Sequence, residues 1–452
     1  MQTLSNGLIC GVVEGFYGRP WNARQRHQLF GWLRSGCMNT YVYAPKADLK
    51  HRNRWRELYD EVECAELGAL VRDCHQHGLR FVFGLSPGLD ICFSSQPDFQ
   101  ALVNKLAQLI GLGCKDFALL FDDIPSDLPG SDAAAFGSLA EAHCDLANRV
   151  AESLRAQLGD PLILFCPTPY CGRMAALNPG YLPEVGRLLD SRIEVFWTGP
   201  EIVSGTISVG SIEAVSAKIG RKPVLWDNLH ANDYDLRRLN LGPYSGRTLD
   251  LRRAVGGILL NPNCQFESNF VPVHTFSDYL NAETAYDPRA AFRRAVTGWL
   301  PQFASDGPVP VTEQDLEFMG DVFYLPYEFG DRARDFLGLF CQLGKGTPEP
   351  GKGAEAVGLL TAECSAMMVL FEKMCDIRNR DLLHALYPLL WELKEEAALI
   401  RAYLAWLASD RSDGDGFESQ EHLPQTYRGG FVAELQRLLP MDLEGLFRGQ
   451  NR

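Results

Sequence analysis

Asp122 and Asp123 stand side by side at the end of the apolar run ALLF. Two carboxylates leaving a buried strand repel each other. The one in the drier surroundings is therefore expected to have a raised pKa and to stay protonated near neutrality as a general acid. Their adjacency also limits the chemistry. In a two-carboxylate retaining glycosidase, acid and nucleophile face opposite sides of the sugar about 5 to 5.5 Å apart, and inverting enzymes separate them further. Sequence neighbours, with Cα atoms about 3.8 Å apart, straddle a pyranose poorly. If both act on a sugar, the nucleophile is more naturally the substrate's own 2-acetamido oxygen, with one Asp holding the acetamido N–H and the other protonating the leaving oxygen. Two other readings use the same residues. The pair could cap a helix, although DDIP runs into DLPGSD rather than into a helical pattern. Alternatively Asp122, Asp123, Asp227, Asp233 and His230 could hold Mg²⁺ or Mn²⁺ in a phosphate-ester hydrolase. Lys46, Asn228 and Asn261 would be odd neighbours for that metal, and no HxH, HxD or HExxH pair lies beside them.

These residues end a recurring pattern. Eight short apolar runs start roughly 30 to 45 residues apart: 8–17, 40–46, 79–88, 116–125, 162–170, 193–199, 223–230 and 256–263, each followed by a segment of helical period. Strands alternating with helices imply a parallel sheet, and eight such units predict a closed (β/α)8 TIM barrel. No GxGxxG or Walker loop follows a strand, which disfavours nucleotide binding. Barrel active sites lie at the C-terminal strand ends. The candidates there are Glu14, Tyr17 and Arg19; Lys46, Lys50 and His51; Asp122 and Asp123; Tyr170; Trp197 and Thr198; Asp227, Asn228, His230, Asn232 and Asp233; and Asn261 and Asn263. Carboxylates, amides and aromatics together suit a sugar, whose hydroxyls need polar partners and whose ring faces stack on Trp and Tyr. Plainer roles exist for some. Tyr17 and Trp226 could simply fill the barrel mouth, Asn261 and Asn263 could form a turn beside Pro262, His230 and Asn232 could aim Asn228 and Asp233, and Glu14 could pair with Arg19.

Helices are expected over 24–35, 65–77, 99–112, 133–158 and 211–219, the last with Ser211 as its N-cap. After about residue 285 the texture becomes helical, with amphipathic segments over 315–343, 354–376, 381–408 and 431–447 broken by polar, turn-rich stretches at 344–353 and 409–425. This gives a barrel over 1–285 and an appended all-α bundle over 286–452. The 452 residues carry a formal charge of −14, of which −4 lies before residue 281 and −10 after it. No basic block is present, so a nucleic-acid or anionic-membrane partner is not expected. No apolar run approaches the ~20 residues of a membrane span. A first strand near Leu8 leaves no room for a signal peptide. The thirteen cysteines are scattered singly, many within apolar runs, and read as reduced, buried thiols. The expected compartment is the cytoplasm, and the nucleus as well in a eukaryotic host.

The strand-end motifs GVVEGFYGRPW (11–21), YVYAPK with KHR and WRELY (41–59), GLSPGLDI (84–91), FALLFDDI (117–124), FCPTPYCG (165–172), WTGP (197–200), WDNLHANDYD (226–235), LGPY (241–244) and NPNCQFESNFVPVHT (261–275) resemble those of the family 84 glycoside hydrolases, the O-GlcNAcases. The resemblance covers residues 7–280. It implies a retaining exo-β-N-acetylglucosaminidase that removes N-acetylglucosamine from Ser/Thr of proteins or peptides through an oxazoline, with no metal or other cofactor. It also implies roles. Asp122 corresponds to the residue that orients and polarises the acetamido group, Asp123 to the general acid that then activates water, and Tyr170 to the tyrosine on the forming oxazoline. Gly15, Lys46, Asn228, Asp233 and Asn261 correspond to residues holding the sugar, and Tyr17, Thr198 and Trp226 to pocket walls. Ala47 departs from the family, which often has Asp after APK. The helical part is similar in kind to a stalk through which family members form homodimers. Two alternatives stay open: action on free glycans or glycosaminoglycan fragments, and a catalytically silent GlcNAc-binding protein.

Overall fold

A computed structural model describes residues 7–128, 130–344, 352–409, 417–419, 421–422 and 427–438. Eight parallel strands close in sequence order into a barrel: β1 Ile9–Glu14, β2 Thr40–Tyr43, β3 Arg80–Leu85, β4 Asp116–Leu120, β5 Ile163–Cys166, β6 Glu194–Trp197, β7 Val224–Asp227 and β8 Gly257–Leu260. β8 pairs with β1 to complete the ring. Every strand is shorter than the apolar run that announced it. The surplus residues at each C-terminal end leave the ladder and form the loops of the site.

The strands alternate strictly between two environments, as a period of two requires. Val13, Val42, Ala118, Leu120, Leu164, Phe196, Val224 and Leu259 fill the barrel interior in one buried cluster. Their neighbours Val12, Tyr41, Phe81, Phe117, Leu119, Phe165, Leu225 and Ile258 belong to a second cluster shared with the surrounding helices. These helices are α1 Ala23–Ser35, α2 Glu61–Gln76, α3 Gln96–Gly111, α4 Leu139–Leu158, the pair α5 Gly172–Leu177 and α6 Tyr181–Leu188, α7 Val209–Ile219, and the short α8 Leu251–Ala254. Capping explains their starts. Asn22 and Asp60 form capping boxes with Gln25 and Glu63. Only α1 starts within one residue of the expected position; α2 and α3 begin four and three residues early, at Glu61 and Gln96, and the starts of α7 and α4 also move. The α7 cap is Ser208, whose Oγ accepts from the Ser211 N–H at 3.1 Å. The 133–138 stretch is turn rather than helix, and α4 begins after Ser138, which accepts from the Glu141 N–H at 3.0 Å.

The chain divides into two compact units. The first, Met1–Ala304 with Val311–Arg332 and Asn379–Leu386, holds the barrel together with α9 Phe270–Asn281, α10 Pro288–Trp299 and α11 Glu313–Val322. The second comprises Ser305–Pro310, Ala333–Arg378 and Tyr387–Arg452. The further helices are α12 Asp331–Gly344, α13 Lys352–Cys375, α14 Arg380–Ala408 and α15 Phe431–Leu438. The single helix expected over 315–343 is broken between Val322 and Asp331, where Pro326 lacks an N–H and Leu325 and Glu328 bridge across a turn. Residues 439–447 of the last expected helix, and parts of both polar breaks, lie outside the described residues.

In the second unit, α13 buries Leu360, Cys364, Met367, Phe371 and Met374, a three-and-four spacing that makes one apolar stripe. Gly353–Cys375 is long and apolar enough to cross a membrane by length and composition, with a mean hydropathy of 1.5 over its best window. A count of uninterrupted apolar residues passes over it because Glu355, Glu363 and Glu372 divide the run. All thirteen cysteines are free thiols. Seven are buried, whereas Cys37 and Cys341 are exposed.

Candidate active site

Gly15, Tyr17, Lys46, Asp122, Asp123, Tyr170, Thr198, Trp226, Asn228, Asp233 and Asn261 line one pocket of about 300 Å³. Strand parity gathers most of them. Gly15, Lys46, Asp122, Thr198, Trp226, Asn228 and Asn261 each continue the inward series of their strand, as in Ala118, Leu120, Asp122 and Val224, Trp226, Asn228. The same rule removes other candidates. Glu14 and Asp227 fall on the outward series. Glu14 takes Arg26 through both oxygens at 2.8 and 2.7 Å, along with the Trp21 N–H at 3.0 Å, so its partner is Arg26 and not Arg19. Asp227 is saturated by Arg247 (2.6 and 2.8 Å) and the Tyr244 hydroxyl (2.7 Å). His230 bonds the Gly242 carbonyl at 2.8 Å, and Asn232 donates to the Arg238 carbonyl and to Gln265. Asn263 ties Asn240 to Asn269. The five-residue metal set of the phosphatase reading is therefore not assembled, because Asp227 and His230 are spent on structure outside the pocket.

The two adjacent carboxyls are held very differently. Asp122 is buried, with its Oδ2 on the Lys46 ammonium and 4.0 Å from the Arg52 guanidinium. Burial pushes its carboxyl up, but the Lys46 charge and hydrogen bond, then Arg52 and His51, outweigh that and hold it below the ordinary carboxylate range. The drier member of the pair is thus held ionised rather than neutral. Repulsion between the two acids, which led to the opposite expectation, is overridden by a cation that arrives from β2. The other oxygen, Oδ1, is buried and has no hydrogen-bond partner among the described residues. Such an orphan acceptor costs about 1–3 kcal/mol until a donor meets it.

Asp123 turns away from its neighbour because its backbone adopts φ 51°, a left-handed conformation uncommon for a residue with a Cβ. Its Oδ1 accepts from the Tyr170 hydroxyl at 2.7 Å and its Oδ2 from the Tyr17 hydroxyl at 3.0 Å. Burial and the Asp123 charge push both phenols up, so they remain donors. Arg52 secures the turn from behind. It donates to the carbonyl oxygens of Asp122 (3.3 Å) and Asp123 (2.9 Å) and to Ser86 Oγ (3.0 Å). Arg52 lies within the KHR segment (50–52), yet nothing in its spacing marks it, since its contacts to the Asp122 and Asp123 carbonyls form only in the folded barrel.

The remaining pocket groups form a polar wall. Asn261 donates to Asn228 Oδ1 at 2.9 Å, and Asn228 in turn donates to the Ile202 carbonyl at 2.8 Å. Asn261 Oδ1 is a second buried acceptor without a partner among the described residues. Asp233 receives the Tyr17 N–H at 2.8 Å, and burial, then the nearby Asp123, pushes its carboxyl up. Thr198 Oγ1 is engaged by the Glu201 carbonyl at 2.9 Å. Gly15 is demanded by space, because a Cβ there would lie 2.1 Å from Trp226 Cζ2. Trp226 is steadied edge-on by Phe196 at 5.3 Å. The pocket also includes Cys166, Ile202, Val203, Ala231 and Tyr234, which sequence reasoning passed over. Parity alone would have found Cys166, and Tyr234 adjoins Asp233.

Comparison with known proteins places this geometry. The sequence model of the family described as beta-N-acetylglucosaminidase matches residues 10–306. Protein O-GlcNAcase of Rattus norvegicus is 28% identical over a 641-residue alignment covering 96% of this chain and 70% of the relative, and that of Mus musculus gives the same figures. A mutant form of the Thermobaculum terrenum O-GlcNAc hydrolase superposes with a TM-score of 0.76 at 30% identity, covering 88% of this chain and 84% of the other. The match spans the barrel and every loop that contributes to the pocket, so the chain belongs to the beta-N-acetylglucosaminidase family and is a glycoside hydrolase of the O-GlcNAcase type.

Proposed function

We propose that the protein is a retaining exo-β-N-acetylglucosaminidase that removes O-linked N-acetylglucosamine from Ser/Thr of proteins or peptides by substrate-assisted catalysis. Ionised Asp122 accepts the acetamido N–H on its free Oδ1, which raises electron density on the acetamido oxygen. That oxygen attacks C1 while Asp123 gives its proton to the glycosidic oxygen, forming an oxazoline and releasing the Ser/Thr hydroxyl. Water then attacks C1 from the side the aglycone left, Asp123 takes up its proton, and configuration is retained. Tyr170 bonds the forming oxazoline. Lys46, Asn228, Asp233 and Asn261 hold the hydroxyls and acetamido group, and Gly15, Tyr17, Thr198 and Trp226 shape the walls.

The observation that carries this reading is the asymmetry of the acid pair, in which Lys46 keeps Asp122 ionised with one oxygen free while φ 51° sends Asp123 to a separate position. The protein aglycone is supported by the names of the rat and mouse relatives. In this reading residues 1–285 house catalysis without a metal or cofactor, residues 286–452 are accessory and pair two copies, and the enzyme works in the cytoplasm. The test is hydrolysis of an aryl N-acetyl-β-glucosaminide beside the plain aryl β-glucoside, with and without EDTA, followed by release of GlcNAc from an O-GlcNAc peptide. Cleavage of the acetamido sugar and the peptide alone, indifferent to chelator, is expected. Cleavage of the plain glucoside or loss of activity in EDTA would refute it.

A further inference from the structure

Helices α1 and α2 bring three metal-ligating side chains together outside the pocket. Asp73 and His77 are four residues apart at the end of α2 and share a face, and His27 reaches them from α1. One ligand atom from each residue lies within 4.8 Å of the others. His27 Nδ1 is 2.9 and 3.0 Å from the two Asp73 carboxylate oxygens, and His77 Nδ1 is 3.4 Å from Asp73 Oδ1. Ligands around a tetrahedral zinc at about 2.0–2.2 Å sit roughly 3.3 Å from one another. The two imidazole-to-carboxylate separations bracket that edge, and the imidazole pair, within 4.8 Å, would close up on coordination. His77 Nδ1 also bonds the Asp73 carbonyl at 2.9 Å, a contact that holds the ring against α2 and would be exchanged on coordination.

The donor set selects the ion. Two imidazoles and one carboxylate suit Zn²⁺, with water in the fourth position, whereas Mg²⁺ and Ca²⁺ take oxygen ligands. Asp73 and His77 are partly buried, at 24% and 17% side-chain exposure, while His27 at 64% leaves an open side for entry and for that water. None of the three lines the sugar pocket. We propose that His27, Asp73 and His77 form a zinc-binding clip joining α1 to α2, independent of glycoside hydrolysis.

The experiment uses the full chain, stripped with chelator and dialysed, then titrated with Zn²⁺ by calorimetry and with Co²⁺ as an optical probe. One zinc per chain is expected, with micromolar affinity, together with cobalt d–d absorption free of a thiolate charge-transfer band and a rise of several degrees in Tm. His27→Ala and Asp73→Asn should each lose that binding while hydrolysing the aryl N-acetyl-β-glucosaminide as before. Failure to take up zinc, uptake unchanged in both variants, or a thiolate band assigning the ion to cysteines would overturn the proposal. In those cases the three residues form only an ion pair.

Discussion

Replacing Lys46 with Met isolates the interaction that sets the character of the acid pair. The Lys46 and Asp122 side chains are 3% and 10% exposed, so solvent screens their contact little. Removing one partner of such a buried pair costs about 3–5 kcal/mol. The sign of the pH effect follows from the direction of the Asp122 shift. In the wild type the carboxyl lies below its unfolded value, so it stabilises the fold above the ordinary carboxylate range and that contribution is lost as pH falls through the lowered value. In Lys46→Met, burial is opposed only by Arg52 at 4.0 Å and by His51. The carboxyl should then rise, and the variant should gain stability on mild acidification where the wild type does not. Activity should follow the same logic. Loss of one charge-stabilising contact corresponds to about 10²–10³ in kcat, and the acidic limb of kcat/KM should move to higher pH. The assay is a pH–rate profile on an aryl N-acetyl-β-glucosaminide paired with urea denaturation at several pH values. An acidic limb that stays in place, or a variant whose stability falls on acidification as the wild type's does, would show that Lys46 does not set the charge of Asp122.

Three further substitutions probe the other parts. Asp123→Asn should lose most activity on poor leaving groups and far less on good ones, since a good leaving group needs little protonation; equal losses in a series of aryl glycosides would rule out its role as the acid. Gly15→Ala brings a Cβ to 2.1 Å from Trp226 Cζ2, against an ordinary carbon contact of about 3.5–4.0 Å. The indole must therefore retreat by roughly 1.5 Å, and a loss near 10² in kcat/KM is expected with the fold intact by circular dichroism. Arg52→Lys cannot reach both carbonyls and Ser86 as the guanidinium fork does, so kcat should fall about 10- to 100-fold with little change in KM, because Arg52 positions the acid pair without lining the pocket. A change confined to KM would contradict that.

The barrel was legible because its signal is repeated eight times and each unit needs only local periodicity. The site was legible as far as it followed from strand ends. Eleven residues from seven strand ends reach one pocket, and parity accounts for most of that. The electrostatics were not legible. Repulsion within the pair predicts that its drier member is neutral, but that member, Asp122, meets a deciding charge, Lys46, that lies 76 residues away in sequence and reaches it only once the barrel closes. Arg52 escaped for the same reason. Helical periodicity continues on both sides of Pro326, which hides the break in the helix expected over 315–343. The buried roles of Asp227 and Glu14 show that a carboxylate at a strand end is ambiguous until its parity is assigned.

The proposed mechanism makes the acetamido oxygen of the substrate the nucleophile. It is tested most directly by kcat/KM along a series of aryl glycosides whose N-acetyl group carries zero, one, two or three fluorines. Each fluorine withdraws electron density from that oxygen while leaving the sugar and the leaving group unchanged. A steep, monotonic fall along the series is expected, and a flat series would place the nucleophile on the protein or on water instead.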